Sequence, residues 1–457
     1  MSLTIGLVML VLTPPFGVPD EPHHFLRAYQ ISEGQLLPTF HDNRGGAELP
    51  RSILLTSKLL KASEWLTQPL SRRQILQSLH VPLDPQRRTY CEFSNTSAYS
   101  PVPYLPQAAA ILISRSLGLG VIQILYYARL ANLLLWTATG YLALSLAPGI
   151  RRPLFLLMLM PMSLYLAASM SADVVGISLA ILFSALVWRQ IAEPASPKKI
   201  SSRHACLFIL MACGIGLTKF VYVPLTALPL IIPSGDFGGR PRKRLIAFSV
   251  IAAALLTSVL WAMQTPGLDM VANGVSKDFY PRLQLQFLQQ NPSAWLTLPI
   301  QTLRVAWKEQ LTSFVGEFGW MQAPISPIAC ILYCLALLWT CRPNADDQTP
   351  RSIWRCVILI PVIVFSSLSA LGLTAYLYWN PLASPDIKGL QGRYLIPLAP
   401  VVMMLISILW LRLPPRFRAR RATWKLEFEC ALIAAAANIC ALYAIIIWFY
   451  TSKPSPH

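Results

Sequence analysis

Charge is what this chain lacks most. Asp, Glu, Lys and Arg make up 13% of its 457 residues, against roughly 25% in soluble domains. The shortage is sharpest in acids, with 20 Asp and Glu against 38 Lys and Arg and a net charge of +18. So few charges cannot clothe a soluble surface of this size, which excludes a soluble enzyme. The motifs of such enzymes are missing too. There is no P-loop, no GxSxG, no HExxH, and no GxGxxG between strand and helix. The nine cysteines form no disulfide framework or CxxC knuckle. Only Cys91 lies in a long polar stretch, and Cys206, Cys213, Cys330, Cys334, Cys341, Cys356, Cys430 and Cys440 fall in or beside apolar runs. Cys330 and Cys334, one helical turn apart, read as packing residues. His23 and His24 are adjacent and cannot share a metal as an i, i+4 pair would, so no His-based metal site is expected. A carboxylate-held divalent cation is the one cofactor left open.

What is present is long apolar runs. Hydrophobic residues make up 54% of the chain, with a mean hydropathy of +0.50. A bilayer core needs about 20 apolar residues per helix, and several runs reach that length. The pattern predicts an all-α integral membrane protein, one polytopic domain over 1–457, with about eleven transmembrane helices. They are placed at 3–13, 121–147, 153–169, 172–190, 205–218, 220–233, 245–261, 325–341, 353–376, 393–411 and 431–450. The first run is short, but no Lys or Arg precedes it and no small-x-small cleavage site follows. It is read as the first span, complete or not, and not as a signal peptide.

Basic residues set the expected orientation. Arg151, Arg152, Arg189, Lys198, Lys199, Arg203, Arg240, Arg242, Lys243, Arg244, Arg342, Arg351, Arg355 and the run from Arg412 to Lys425 all fall on one side. That side holds 19 of the 38 Lys and Arg, all in short loops, and by the positive-inside rule it is cytoplasmic. Basic charge in such loops marks topology, so nucleic acid is not an expected partner. Two long segments, 14–120 and 264–324, then lie outside, and the N-terminus lies inside. Within the first, 104–117 is apolar, but a span there would turn every later basic loop outward. It is read as an amphipathic surface helix. Pro281–Gln290 and 295–310 read the same way, with Trp295 and Trp307 as interface anchors. No internal repeat of the transporter kind is visible.

The outer side carries the candidate chemistry. Directly after the first span comes Pro19-Asp20-Glu21-Pro22-His23-His24-Phe25-Leu26-Arg27. Proline early in a helix and Gly34 past its end predict a short helix over 22–33. Asp20 and Glu21 then sit at its positive end. An N-cap is the plain reading of such an Asp, but the adjacent acids, two His and Arg27 at a membrane boundary point to a site. Arg129, Asp173, Lys219, Glu317 and Arg393 fall at the same boundary. Snorkelling to water accounts for Lys219 or Arg129 singly. Ionisable groups at membrane depth are functional candidates nonetheless.

Five sets of residues carry a resemblance. They are the segment 19–25, Tyr99-Ser100-Pro101 with Tyr104-Leu105-Pro106-Gln107, Met160-Pro161 with 169–173, Thr218-Lys219, and Gln391-Gly392-Arg393-Tyr394 through Pro397. Together they resemble the bacterial membrane family catalogued as domain of unknown function 2142. That family looks like a relative of the GT-C glycosyltransferases, which carry an acidic residue just after the first span. Protein O-mannosyltransferases have a similar Asp-Glu pair followed by His-Phe. The resemblance implies an inverting transferase in the bacterial inner (cytoplasmic) membrane, working on the extracytoplasmic face. Its partners would be membrane lipids, a polyprenyl-phosphate-linked sugar and a glycan or lipid-linked acceptor.

The residue types suit that chemistry. A carboxylate takes the proton of an attacking hydroxyl, with Asp20 the first choice of base and Glu21 the second. Arginine's planar fork suits the departing phosphate, with Arg393 first, then Lys219 and Arg129. His24, Arg27, Tyr104, Asp173, Glu317 and Tyr394 complete the expected substrate-binding set, with no protein-held metal assigned. The surface helices at 104–117 and 281–310 are the expected groove for lipid and acceptor. A transporter or flippase for a lipid-linked sugar, or a non-catalytic assembly subunit, is the alternative class.

Overall fold

A computed structural model describes residues 1–42, 44–60, 72–192, 199–265, 279–343, 350–414 and 424–451. The chain opens with α1 (Ser2–Leu12) and α2 (Glu21–Ser32), then α3 (Arg51–Leu59), α4 (Arg72–Leu79), α5 (Ser94–Ser97) and α6 (Leu105–Ser116). The helical bundle continues through α7 (Val121–Leu146), α8 (Arg151–Leu159), α9 (Pro161–Ala167), α10 (Asp173–Ala192), α11 (Ser202–Thr218) and α12 (Arg240–Gln264). After α13 (Pro281–Gln290) and α14 (Ala294–Val315) come α15 (Pro327–Thr340), α16 (Ile353–Trp379), α17 (Ala399–Leu411) and α18 (Trp424–Tyr450). The basic residues Lys198, Arg416, Arg418, Arg420 and Arg421 lie outside the described residues, as does the side chain of Lys425.

Every apolar run named from the sequence falls on a helix, but the helices differ in reach. Among the described residues, five are long and apolar enough to cross a membrane: α7, α10, α12, α16 and Leu426–Tyr450 of α18. A sixth qualifies if 148–167 counts as one span bent by 65°. Five more, at Ser2–Leu12, Ser202–Thr218, Phe220–Ile231, Pro327–Thr340 and Ala399–Leu411, are apolar but shorter. Large apolar side chains point outward from the long helices. Phe248 on α12 and Phe365 on α16 are each 72% exposed, as lipid contact requires. The chain is a multi-pass membrane protein.

The bend between α8 and α9 shows how such a protein tolerates a break. Pro161 has no N–H and crowds the carbonyl four residues back, so the helix stops at Met160. Unpaired carbonyls inside a bilayer cost several kcal/mol each. Three distant side chains meet them here. Tyr333 donates to Leu156 O at 2.8 Å, Trp136 to Met158 O at 3.1 Å and Asn438 to Leu159 O at 2.8 Å.

The 220–233 run departs from the α expectation. Phe220–Ile231 winds as a single 12-residue 3-10 helix containing Pro224 and Pro229. Runs beyond three or four residues are uncommon in this form, and the two prolines each remove an α-type donor. Lys219 precedes it, and Lys243 donates to the carbonyls of Leu230 (2.6 Å) and Ile232 (2.5 Å) at its far end.

The all-α expectation needs a second correction. The first long segment contains an antiparallel sheet of β1 (Thr39–His41), β2 (Arg44–Pro50) and β3 (Arg88–Glu92) in that order. Thr39 pairs with Gly46, and Ala47 with Cys91. The strands are short and Gly45-Gly46 interrupts any alternation, so hydrophobic pattern alone does not mark them. A two-stranded ladder, β4 (Glu317–Phe318) with β5 (Ala323–Pro324), closes the second long segment. Helices do form in the stretches read as surface helices. α6 matches the 104–117 stretch, α13 has the expected bounds, and α14 contains 295–310.

Candidate functional site

The link from α1 to α2 is short and rich in proline, with Pro14, Pro15 and Pro19, and Pro22 follows in the first turn of α2. To turn within it, two non-glycine residues take left-handed backbone angles, Phe16 (φ 64°) and Asp20 (φ 59°). Such residues cost of order 1–3 kcal/mol and cluster at functional sites. Asp20 stands at the N-cap position of α2, yet its side chain makes no cap bond. Its Oδ1 instead accepts from Asn95 Nδ2 at 2.7 Å. The plain N-cap reading is therefore corrected: Asp20 is half-exposed, with its carboxylate held by α5.

Glu21, the neighbouring residue, points the other way. It is fully buried and forms an ion pair with Arg129 of α7, itself fully buried. Arg129 Nε donates to Oε1 at 2.8 Å and Nη2 to Oε2 at 2.5 Å. The remaining N–H groups reach Leu10 O (3.2 Å), Thr13 O (2.7 Å) and Pro14 O (2.8 Å). A guanidinium has five N–H donors, and all five are used. Arg129 thus caps the C-terminal end of α1 and ties it to α2. Glu21, expected as the second base, and Arg129, expected as a phosphate ligand, satisfy each other in a closed, buried pair set apart from the half-buried Asp20.

The pair also shapes the turn before α10. Met170 N donates to Glu21 Oε1 at 3.1 Å. Asn132 donates to Ser169 O and Ser171 O, and Gln107 to Ser171 O. That clamp delivers Asp173 as the first residue of α10. Asp173 Oδ1 accepts from Lys219 Nζ at 2.5 Å, and its Oδ2 lies 4.0 Å from Arg393 Nε. Lys219 ends α11 and sits over two rings, 4.6 Å from the Tyr394 centroid and 5.9 Å from that of Tyr99. Arg393 lies in a 3-10 turn, Gly392–Leu395, ahead of α17. Its Nε is buried without a hydrogen-bond partner, and its Cζ lies 5.5 Å from the Tyr394 ring.

Gly392 sets that arginine's position. Its N–H donates to Ser313 Oγ at 2.7 Å, and Gln310 Nε2 holds Leu390 O at 2.6 Å. A Cβ at 392 would meet Gln310 O at 2.0 Å and Phe314 N at 2.4 Å. Only glycine lets the chain lie this close to α14.

His24 joins the cluster from α2. Its Nδ1 lies 2.8 Å from the Tyr104 hydroxyl, and Asp20, Asp173, Lys219 and Arg393 are all within electrostatic reach. Burial dominates, pushing the imidazole down to about 4, so it is neutral at neutral pH. The cavity among Asp173, Thr218, Lys219, Tyr222 and Arg393 is about 10 Å³, room for a single water.

The structure therefore brings together Asp20, His24, Tyr104, Asp173, Lys219, Arg393 and Tyr394. It leaves out two more of the expected residues. Arg27 is buried and holds Gln30, Leu36 O and Tyr99 O, so it is a brace within the loop. Glu317 sits in β4, where it accepts from Thr312 Oγ1 at 3.2 Å with Glu309 as its charged neighbour. It contributes nothing to the cluster. Three members went unassigned from the sequence. Asn95 holds Asp20, Tyr99 faces Lys219, and Tyr222 donates to Tyr394 O at 2.9 Å. The aromatic residues Tyr99 and Tyr222 flank or sit within the recognised segments, which was the one available signal. No group of three or more His, Cys, Asp or Glu suited to a metal ion occurs among the described residues.

A membrane bundle with a polar cluster closed by two long segments defines a class of polytopic membrane protein. Within that class the chain belongs to DUF2142, a family of predicted membrane proteins whose model matches residues 3–402. No curated protein and no solved structure matches it.

Proposed function

We propose that this chain is a GT-C-like glycosyltransferase of about eleven spans in the bacterial inner membrane. It moves a sugar from a polyprenyl-phosphate donor to a glycan or lipid-linked acceptor on the extracytoplasmic face. The carrying observation is Asp20. It is a half-exposed carboxylate, held by Asn95 in strained backbone, with no ion-pair partner among the described residues and within electrostatic reach of Arg393. A carboxylate left un-neutralised beside a cation with an unused donor suits a base facing a departing phosphate.

In this reading the acceptor oxygen attacks the anomeric carbon and gives its proton to Asp20. The bond from that carbon to the phosphate oxygen breaks with inversion, and the charge gathers on the phosphate. Arg393 meets that charge, while Asp173 and Lys219 hold each other and fix the pocket wall. A cavity with room for one water means that donor entry requires Arg393 or the segment before it to move. The cluster lies at one end of the bundle and not at mid-depth, which favours an enzyme over a transporter.

The test is transfer of labelled sugar from polyprenyl phosphate by the purified chain. Asp20→Asn keeps the bond to Asn95 in reach and removes the basic site. It should express and insert normally and transfer about 10²–10⁴-fold more slowly. Wild-type turnover by this variant would leave a transporter or scaffold in front. Orientation has its own test. In intact cells, a cysteine at Gln290 should react with an impermeant thiol reagent and one at Arg203 should not. Labelling at Arg203 would invert the map.

A further inference from the structure

At the opposite end of the bundle from Asp20, a crevice of about 710 Å³ opens between α15, α17 and α18. Its walls are apolar, with Leu335, Ile406, Leu426 and Ile433 among them, and Trp339 and Trp410 stand at one end. Its size falls within the 300–1,000 Å³ of small-molecule sites. Leu335 and Trp339 are more than half exposed, so the crevice opens sideways on an apolar flank. The lipid hydrocarbon lies there.

The tryptophan end carries positive charge. The Arg342 guanidinium lies on both rings, 4.2 Å from the Trp339 centroid and 5.5 Å from that of Trp410. Arg152 donates to Arg342 O at 3.0 Å, which brings a second guanidinium to the same corner. Glu429, on the exposed rim, is the one acid in the wall. Tryptophan at the bilayer boundary with arginine beside it is the arrangement of a headgroup site.

We infer that this crevice binds one anionic phospholipid from the leaflet on the basic side, its chains between Trp339 and Trp410 and its phosphate at Arg342. The site lies at the far end from Asp20 and Arg393, so the inference does not depend on the transferase reading.

Native mass spectrometry of the delipidated full chain in detergent micelles tests it. The probes are phosphatidylglycerol and phosphatidylcholine with identical acyl chains. The wild-type chain should retain one phosphatidylglycerol at least tenfold more tightly than phosphatidylcholine. Ala336→Trp fills the crevice and should abolish retention while leaving the unfolding temperature in pure detergent unchanged. If that variant does not fold, Ile433→Trp from the facing wall should give the same loss. Arg342→Gln should keep lipid binding and lose the preference for the anionic headgroup. Equal retention of both lipids by the wild type, retention of neither, full retention by the filled variants, or an intact preference in Arg342→Gln would each overturn the assignment.

Discussion

The two ends of the bundle use charge in different ways. On the basic side, cations rest on backbone carbonyls and indole rings. Arg151 donates to Leu144 O, Arg242 to Ile200 O, Arg355 to Ile232 O, and Arg412 covers Trp354. Those carbonyls lie mostly at or just past helix C-termini, where the partial charge is negative. Arg351 differs, forming a two-bond ion pair with the buried Asp236. On the other side, acids and bases from distant segments meet each other: Glu21 with Arg129, Asp173 with Lys219, and Asp20 opposite Arg393. A cation that caps a helix end is fixed by the fold it completes. A cation whose nearest carboxylate is 4.0 Å away and whose Nε has no hydrogen-bond partner has a donor to offer a ligand. The difference teaches that a count of charges marks orientation, and their partners mark chemistry.

The comparison is broken most severely at Glu21 and Arg129. Removing one member leaves the other charged and dry, which costs about 3–5 kcal/mol. Glu21→Leu and Arg129→Leu should each lose most folded protein in detergent, read by thermal unfolding. The paired change Glu21→Leu with Arg129→Met should be more stable than either. Glu21→Gln that is fully stable yet inactive would return Glu21 to the chemistry.

A smaller effect separates the two kinds of arginine. Arg393→Lys keeps the charge and loses the planar fork, so transfer should fall at least about tenfold with yield unchanged. Arg412→Lys on the basic side should be neutral in both. Equal tolerance at the two positions would make Arg393 an interface anchor.

The smallest effect is at Glu317, which belongs to neither pattern. Burial raises its carboxyl from 4.5 to about 7. The folded state therefore holds a proton that the unfolded state has released, and stability falls as pH rises from about 4.5 to about 7. Glu317→Gln should remove that slope. Its unfolding temperature should match wild type near pH 4.5 and exceed it by a few degrees, roughly, near pH 8. A gain that is the same at both pH values would show a role other than proton release.

The apolar runs told most of the fold, because lipid leaves a helix little choice but to be apolar over its length. The bounds of α6 and α13 were equally legible, from proline at the start and an amphipathic face. The β1–β3 sheet was not, since three short strands with glycines at their pairing edge carry no period. The site was readable as residue types at one boundary, which is how Asp173, Lys219 and Arg393 were found. Their partners were not readable. Glu21 and Arg129 are 108 positions apart, and nothing local says that one acid of an adjacent pair turns inward and the other outward. That split comes from the left-handed angle at Asp20, a property of the turn and not of the residue. Asn95 was invisible for a like reason: a polar residue in a loop has no pattern until the fold shows what it holds.

The 3-10 segment between Lys219 and Lys243 has a mechanical consequence. A 3-10 helix rises about 2.0 Å per residue against about 1.5 Å for an α-helix. Its 12 residues therefore stretch to roughly 24 Å, where an α-helix would reach roughly 18 Å. That is still short of a hydrocarbon core of about 30 Å, though longer than an α-helix of the same residues. Pro224 and Pro229 keep the segment from contracting, and a lysine is fastened at either end, one to Asp173 and one to the closing carbonyls. Its length sets how far Lys219, and with it the contact to Asp173, stands from the carbonyls that Lys243 holds at the other end.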